Sequence, residues 1–260
     1  GQIGSLQDQV LVHAGQGAMT NQSGTIQAKQ DLTVTAQSVD NQSGQMNSQG
    51  KLELTSQQAI NNLEGLIAAD LGLKLGSQGL NNNRGQIGSA QGEVDLNAGS
   101  GLLSNQAGIV LSGKALSLNA GQVDNSNKGQ INSQADLVIS TAKDINNQNG
   151  VIASNQQLSL KSQGLNNNAG QIGSIHSGVT IESGSSAVDN TSGVIQAKND
   201  IQLKAQQLTS HFGKISSEKA IELNIKQGID NSAGQIVAND AVMIQSRGLN
   251  NDQGQIASIK

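Results

Sequence analysis

The stretch GLNNNRGQIGS at residues 79–89 returns as GLNNNAGQIGS at 164–174 and as GLNNDQGQIAS at 248–258. Recurrence at a near-fixed period constrains the fold more than any other property of the chain, because each copy must take the same local structure and stack on the next. Glycines two residues ahead of an aliphatic position mark the coils: Gly1, Gly24, Gly44, Gly65, Gly85, Gly108, Gly129, Gly150, Gly170, Gly193, Gly213 and Gly234, with a thirteenth beginning at Gly254. The intervals run 23, 20, 21, 20, then 23, 21, 21, 20, then 23, 20, 21, 20. Twelve coils therefore fall into three superrepeats, 1–84, 85–169 and 170–253, read as a single segment.

Within a coil the apolar residues alternate with polar ones. Coil two gives Ile26 and Ala28, then Leu32, Val34 and Ala36, then Val39. Coil eleven gives Ile215 and Ser217, then Ile221, Leu223 and Ile225, then Ile229. A period of two means strands with one buried and one wet face. Three short strands per coil of about 20–23 residues, separated by Gly-, Asn- and Gln-rich turns, predict an all-β solenoid, that is, a parallel β-helix. A lone coil buries too few side chains to offset its own ordering, so the coils must close over one another. Small residues at the corners (Ala14, Ala36, Ser56, Ser77, Ala98 and Ala120) suit a narrow interior.

One polar position recurs. Asparagine closes the third strand at Asn21, Asn41, Asn62, Asn82, Asn105, Asn125, Asn147, Asn167, Asn190, Asn231 and Asn251, while coil ten carries Ser210 beside His211 and Phe212. In-register amides can bond to their copies one coil away, which predicts a structural ladder. Asparagine also tolerates the left-handed conformation of a tight turn, and the glycine that follows is expected to serve the same end. Each 23-residue coil has one extra residue between its first two strands and two more before its third, so small loops should recur every fourth coil.

Composition narrows the function. The 260 residues contain 32 Gly, no Pro, Cys, Trp or Tyr, and one Phe. With 13% charged residues and a net charge of −4 there is no basic stripe and no stacking platform, which argues against nucleic acid. Absent cysteine excludes disulfides and thiolate metal sites. No apolar run approaches the roughly 20 residues of a membrane-spanning helix. The chain opens with GQIGS and closes with GQIASIK, the same phase of the repeat, so it reads as a piece of a longer protein.

The pattern G-Q-I-x-S-x-x-x-x-L-x-L-x-A followed by L/V-x-N-x-x-G, as in GTIQAKQDLTVTAQSVDNQSG (24–44) and GQINSQADLVISTAKDINNQNG (129–150), resembles the haemagglutinin repeats of filamentous haemagglutinin. It equally resembles the stalks of contact-dependent growth inhibition exoproteins. The resemblance covers all twelve coils. It implies a right-handed parallel β-helix, in line with the usual hand of parallel crossovers. It also implies export through an outer-membrane two-partner secretion transporter, a place outside the cell or on the bacterial outer surface, and a role as the stalk of an adhesin or virulence factor. An Asn-Pro-bearing secretion domain, a Val-Glu-Asn-Asn boundary and an Arg-Gly-Asp triplet are all missing from the stretch, so export, toxicity and receptor recognition are expected elsewhere.

Site chemistry is sparse. His13, His176 and His211 occupy different coil positions, which speaks against a metal cluster, and no cofactor is expected. Asp31, Asp136 and Asp200 precede second strands, and Asp40, Asp124, Asp189 and Asp230 sit beside the ladder; turn capping is expected of them rather than calcium binding. No carboxylate pair flanked by aromatics and no serine with evident His-Asp support is visible, so the chain is not expected to be an enzyme. The sequons at Asn21, Asn41 and Asn190 are ladder positions and are expected to stay unglycosylated. Lys29 and Lys198 read as solubilising breaks in the outward faces. The leading expectation is a stalk projecting a distal recognition or toxin domain. The alternative is an adhesive flank that binds a target-cell receptor, a glycan or neighbouring filaments, with outward glutamines such as Gln86 and Gln171 in contact. Unpaired strand edges at the ends of a fragment would favour end-to-end self-association.

Overall fold

The computed structural model describes residues 1–260. It is built of strands and turns with no helix, and it divides into two compact units, 1–125 with 129–134 and 126–128 with 135–260.

In unit one the chain makes three parallel sheets. The first takes one strand from each coil, from Gln2–Ser5 through Thr25–Ala28, Gln45–Ser48, Leu66–Ala69, Gln86–Ser89 and Ile109–Ser112 to Gln130–Ser133. The second runs from Val10–His13 to Leu116–Ala120, and the third, of shorter strands, from Ala18–Thr20 to Gln122–Asp124. Like stacks on like: Ile26 faces Met46, Ile67 faces Ile87, and Leu73 lies between Leu52 and Val94. Unit two repeats the plan. Its first sheet runs from Val151–Ser154 to Gln255–Ser258, its second from Leu137–Thr141 to Ala241–Gln245 and its third from Ile145–Asn146 to Gly248–Asn250. The all-β parallel solenoid anticipated from the alternation is therefore the fold.

The alternation also sorts the residues. Ile26, Leu32, Val34 and Val39 are buried, as are Ile215, Ile221, Leu223, Ile225 and Ile229, whereas Glu53, Lys74, Gln202 and Glu222 between such positions face outward. Serines where the first strand ends do more than save space. Ser48 Oγ donates to Gln30 O at 2.6 Å, Ser133 Oγ to Lys114 O at 2.6 Å and Ser217 Oγ to Asn199 O at 2.6 Å, so each buried hydroxyl ties its corner to the coil before it.

The extra residues fall where the spacing put them. Four residues separate Ser5 from Val10 in coil one, against three between Ala28 and Leu32 in coil two. Four also separate Ser89 from Val94 in coil five and Ser174 from Val179 in coil nine. The added pair before the third strand makes small loops at Gly15–Gly17, Gly99–Gly101 and Gly184–Ser186. In the last, Ser185 Oγ donates to Gln163 Oε1 of the preceding coil at 2.7 Å.

The closing turn corrects one expectation. Neither the asparagine nor the glycine takes positive φ. The left-handed residue is the one just before the glycine: Ser23, Ser43, Glu64, Arg84, Ala107, Asn149, Ala169, Ser192, Phe212, Ala233 and Gln253 lie between 51° and 57°, and the turn before Gly129 has two, Asn127 at 56° and Lys128 at 72°. The glycine is required for space instead. A Cβ at Gly85 would overlap the carbonyl oxygen of Asn62 one coil back and crowd Asn82 Oδ1, so only hydrogen fits there.

Candidate functional site

The most elaborated chemistry lies where the third strand turns into the next coil. In unit one Asn21 Nδ2 donates to Asn41 Oδ1 at 2.7 Å, Asn41 to Asn62 at 2.7 Å, Asn62 to Asn82 at 2.7 Å, Asn82 to Asn105 at 2.6 Å and Asn105 to Asn125 at 2.8 Å. In unit two Asn147 donates to Asn167 at 2.8 Å, Asn167 to Asn190 at 2.8 Å and Asn231 to Asn251 at 2.7 Å. Each Nδ2 reaches a backbone carbonyl of the following coil as well, as Asn21 does to Gln45 O at 3.0 Å. From Asn41 to Asn231 these amides are fully buried, where an unpaired polar atom is costly and pairing decides stability.

A second, half-buried row runs beside this one. Asn61 Nδ2 donates to Asp40 Oδ1 at 3.0 Å and Asn81 Nδ2 to Asn61 Oδ1 at 2.9 Å. Asn250 Nδ2 donates to Asp230 Oδ1 at 3.1 Å. Donors here point to the preceding coil, opposite to the inner row. The carboxylate fixes that direction: Asp40 can only accept, so Asn61 must turn its amide NH₂ toward it and its oxygen toward Asn81. The aspartates ahead of the second strand serve as caps. Asp31 Oδ1 accepts from Lys51 N at 2.8 Å, Asp136 Oδ1 from Gln157 N at 3.0 Å and Asp200 Oδ1 from Ala220 N at 3.0 Å, each one coil on.

Coil ten departs from the pattern. Asn190 Nδ2 meets Ser210 Oγ at 3.2 Å, and Asn231 Oδ1, buried one coil further on, has no partner. On the outside of the same joint His211 Nδ1 lies 2.8 Å from Ser232 Oγ, and Ser232 Oγ donates to Asp230 Oδ1 at 2.6 Å. Phe212, 64% exposed, has its ring centroid 4.0 Å from that of His211. Hydrogen bonds from the Ser232 hydroxyl and backbone N–H, with the nearby His211 and the Asn250 amide, hold the Asp230 carboxyl below its usual range against the opposing effect of burial.

A serine with histidine and aspartate support thus exists, contrary to the reading of the sequence, but in an order that does not activate it. Asp230 touches the Ser232 hydroxyl directly rather than holding the imidazole of His211, so the aspartate does not orient the histidine as a triad requires. The ion pairs are exposed and join neighbouring coils. Arg84 contacts Glu64 at 2.7 Å and Lys204 contacts Glu182 at 3.7 Å, and Lys198 pairs with Glu218. His13 lies in the second strand of coil one and His176 in the corner of coil nine, apart from His211 in sequence and in coil position. The sequon asparagines Asn21, Asn41 and Asn190 are buried with their Nδ2 atoms engaged. Only the stacked turns concentrate such polar chemistry, and they are intramolecular.

The sequence pattern of the haemagglutinin repeat matches residues 15–70, 61–92, 89–149, 139–184, 173–233 and 220–258. The chain belongs to the haemagglutinin-repeat family of filamentous haemagglutinin. The matches follow one another through all but the ends of the sequence, so the repeat accounts for both units of this haemagglutinin-repeat solenoid. No curated protein and no solved structure matches it. No helix in it is long and apolar enough to cross a membrane.

Proposed function

We propose that this haemagglutinin-repeat chain is a spacer: a length of stalk from a secreted bacterial surface exoprotein that holds a distal recognition or toxin domain away from the cell. The reading rests on one observation. In both units the polar side chains of the turns are spent on the neighbouring coil, asparagine on asparagine and aspartate on backbone N–H, while the outward rows are mostly Gln, Ser, Thr and Asn. Coils joined this way are interchangeable, and their number sets reach. Export would run through an outer-membrane two-partner secretion transporter engaged by another region of the parent protein, whether that parent is an adhesin or a growth-inhibition exoprotein.

Removing superrepeat 85–169 from the parent exoprotein tests this. A spacer loses reach, measured as the maximal separation over which contact-dependent adhesion or toxin delivery still works, while affinity for the target cell stays constant. A fall in affinity that tracks the number of superrepeats would refute the spacer. An adhesive flank has one observation in its favour. On the outward face of the first sheet in unit two, Gly173 and Ala153 leave a groove of about 310 Å³ edged by Val151, Gln171, Val194 and Ile175. Saturable binding of the folded 260-residue chain to target cells, abolished by Gln171→Thr, would favour that reading.

A further inference from the structure

We propose that the joint between the turn at Ser210–Gly213 and the turn at Asn231–Gly234 is a built-in yield point of unit two, the place where the stacked coils part first. Each inner-row asparagine that has an asparagine ahead of it in its unit sends two amide bonds forward: one to that asparagine and one to a backbone carbonyl of the following coil, as Asn167 does to Asn190 Oδ1 at 2.8 Å and to Val194 O at 3.3 Å. Ser210 has no amide, so both forward bonds are lost at one joint, and Asn231 Oδ1 stays buried and unpaired. Serine is also shorter than asparagine, and the step into it lengthens to 3.2 Å. One of the two backbone bonds across the turn lengthens with it: Phe212 N reaches Ser232 O at 3.2 Å, where the corresponding bonds from Ala169 and Ser192 measure 2.9 Å, while Ser210 N keeps 2.7 Å to Asp230 O.

What bridges the joint instead lies outside. The His211–Ser232–Asp230 chain of hydrogen bonds and the Lys198–Glu218 pair both cross from coil ten to coil eleven, but in reach of water. Solvent competes for such contacts, and exposed ion pairs hold little. The joint therefore exchanges a buried, cooperative connection for an exposed and replaceable one. In a stalk, this confines opening under load to one place, from which the coils can re-stack in register. That consequence rests on the spacer reading; the weak joint itself does not.

Hydrogen exchange of the whole 260-residue chain, corrected for intrinsic rates, tests the joint directly. The amides of Ser210 and Phe212, which bond across it to Asp230 O and Ser232 O, should exchange roughly tenfold or more faster than those of Asn167 and Ala169 at an intact joint. Ser210→Asn should slow the pair to parity. Asn167→Ser should create the same fast pair at 167 and 169, and it decides the matter alone should the first variant not fold. Equal protection of the two pairs in the native chain, or no response to either substitution, would overturn the proposal. That outcome leaves the spacer untouched, because the spacer is judged by reach.

Discussion

The inner and outer rows of the turns lie side by side and obey different rules. The inner row is asparagine at every coil but one, buried, with donors pointing forward along the chain. The outer row reads Thr20, Asp40, Asn61, Asn81, Ser104 and Asp124 over the same coils, half-buried for the most part, with donors pointing backward where amides occur. Both rows repeat at the same spacing, and both contain asparagine. Solvent access makes the difference: a buried amide must find its complement on each neighbour, while a half-buried one can accept a hydroxyl, a carboxylate or water. Identity of residue is enforced by burial, not by the repeat as such.

The comparison breaks most visibly in the inner row. Asn82 accepts from Asn62 and donates to Asn105, to Ile109 O and to Gly85 O. Asn82→Ala orphans Asn105 Oδ1 and removes the packing amide. The expected loss is about 3 kcal/mol or more in urea unfolding, summed from two or more unsatisfied buried groups at about 1–3 kcal/mol each. A loss below about 1 kcal/mol would mean that the row is filler rather than a support.

An equal truncation in the outer row, one coil earlier, should cost far less. Asn61 makes three side-chain bonds against four at Asn82: to Asp40 Oδ1, from Asn81 Nδ2 and from Leu63 N. Water can reach all of these partners, so Asn61→Ala is expected to cost only about 1 kcal/mol, the net worth of a solvent-exchangeable bond. Matching losses at positions 61 and 82 would show that burial does not separate the rows.

The same contrast explains what was legible beforehand. Strand alternation, coil boundaries and the placing of the loops were readable because each leaves the same letters at the same offset. So was the inner row, where burial has kept one letter. The outer row was hidden, because Thr, Asp, Asn and Ser share the position and only their bonding unites them. The left-handed residue was hidden for a related reason. Ser, Glu, Arg, Ala and Phe all occupy it, so no glycine marks it, and the glycine that is present answers to the carbonyl one coil back. Ser210 stood out as a letter, yet its consequence at Asn231 depends on the direction in which the amides donate, which no sequence states. The division into two units has no counterpart in the repeat, whose period continues through 126–128.

The smallest effect concerns the acidic end of the outer row. Asp230 titrates below the ordinary carboxylate range in the folded protein, chiefly through the Ser232 hydroxyl and N–H. A depressed folded pKa binds protons more weakly than the unfolded chain does. Its stabilisation is therefore complete above the unfolded value near 4 and fades as pH falls through the folded one. Asp230→Asn should narrow the stability difference between pH 6 and pH 2.5, and the gap between native chain and variant should close toward the acid end. Ser232→Ala takes away the hydroxyl that is the largest cause of the depression while leaving the carboxylate in place. If it narrows the same stability difference, the serine hydroxyl sets the acid response of this joint; an unchanged profile in Ser232→Ala would mean that it does not.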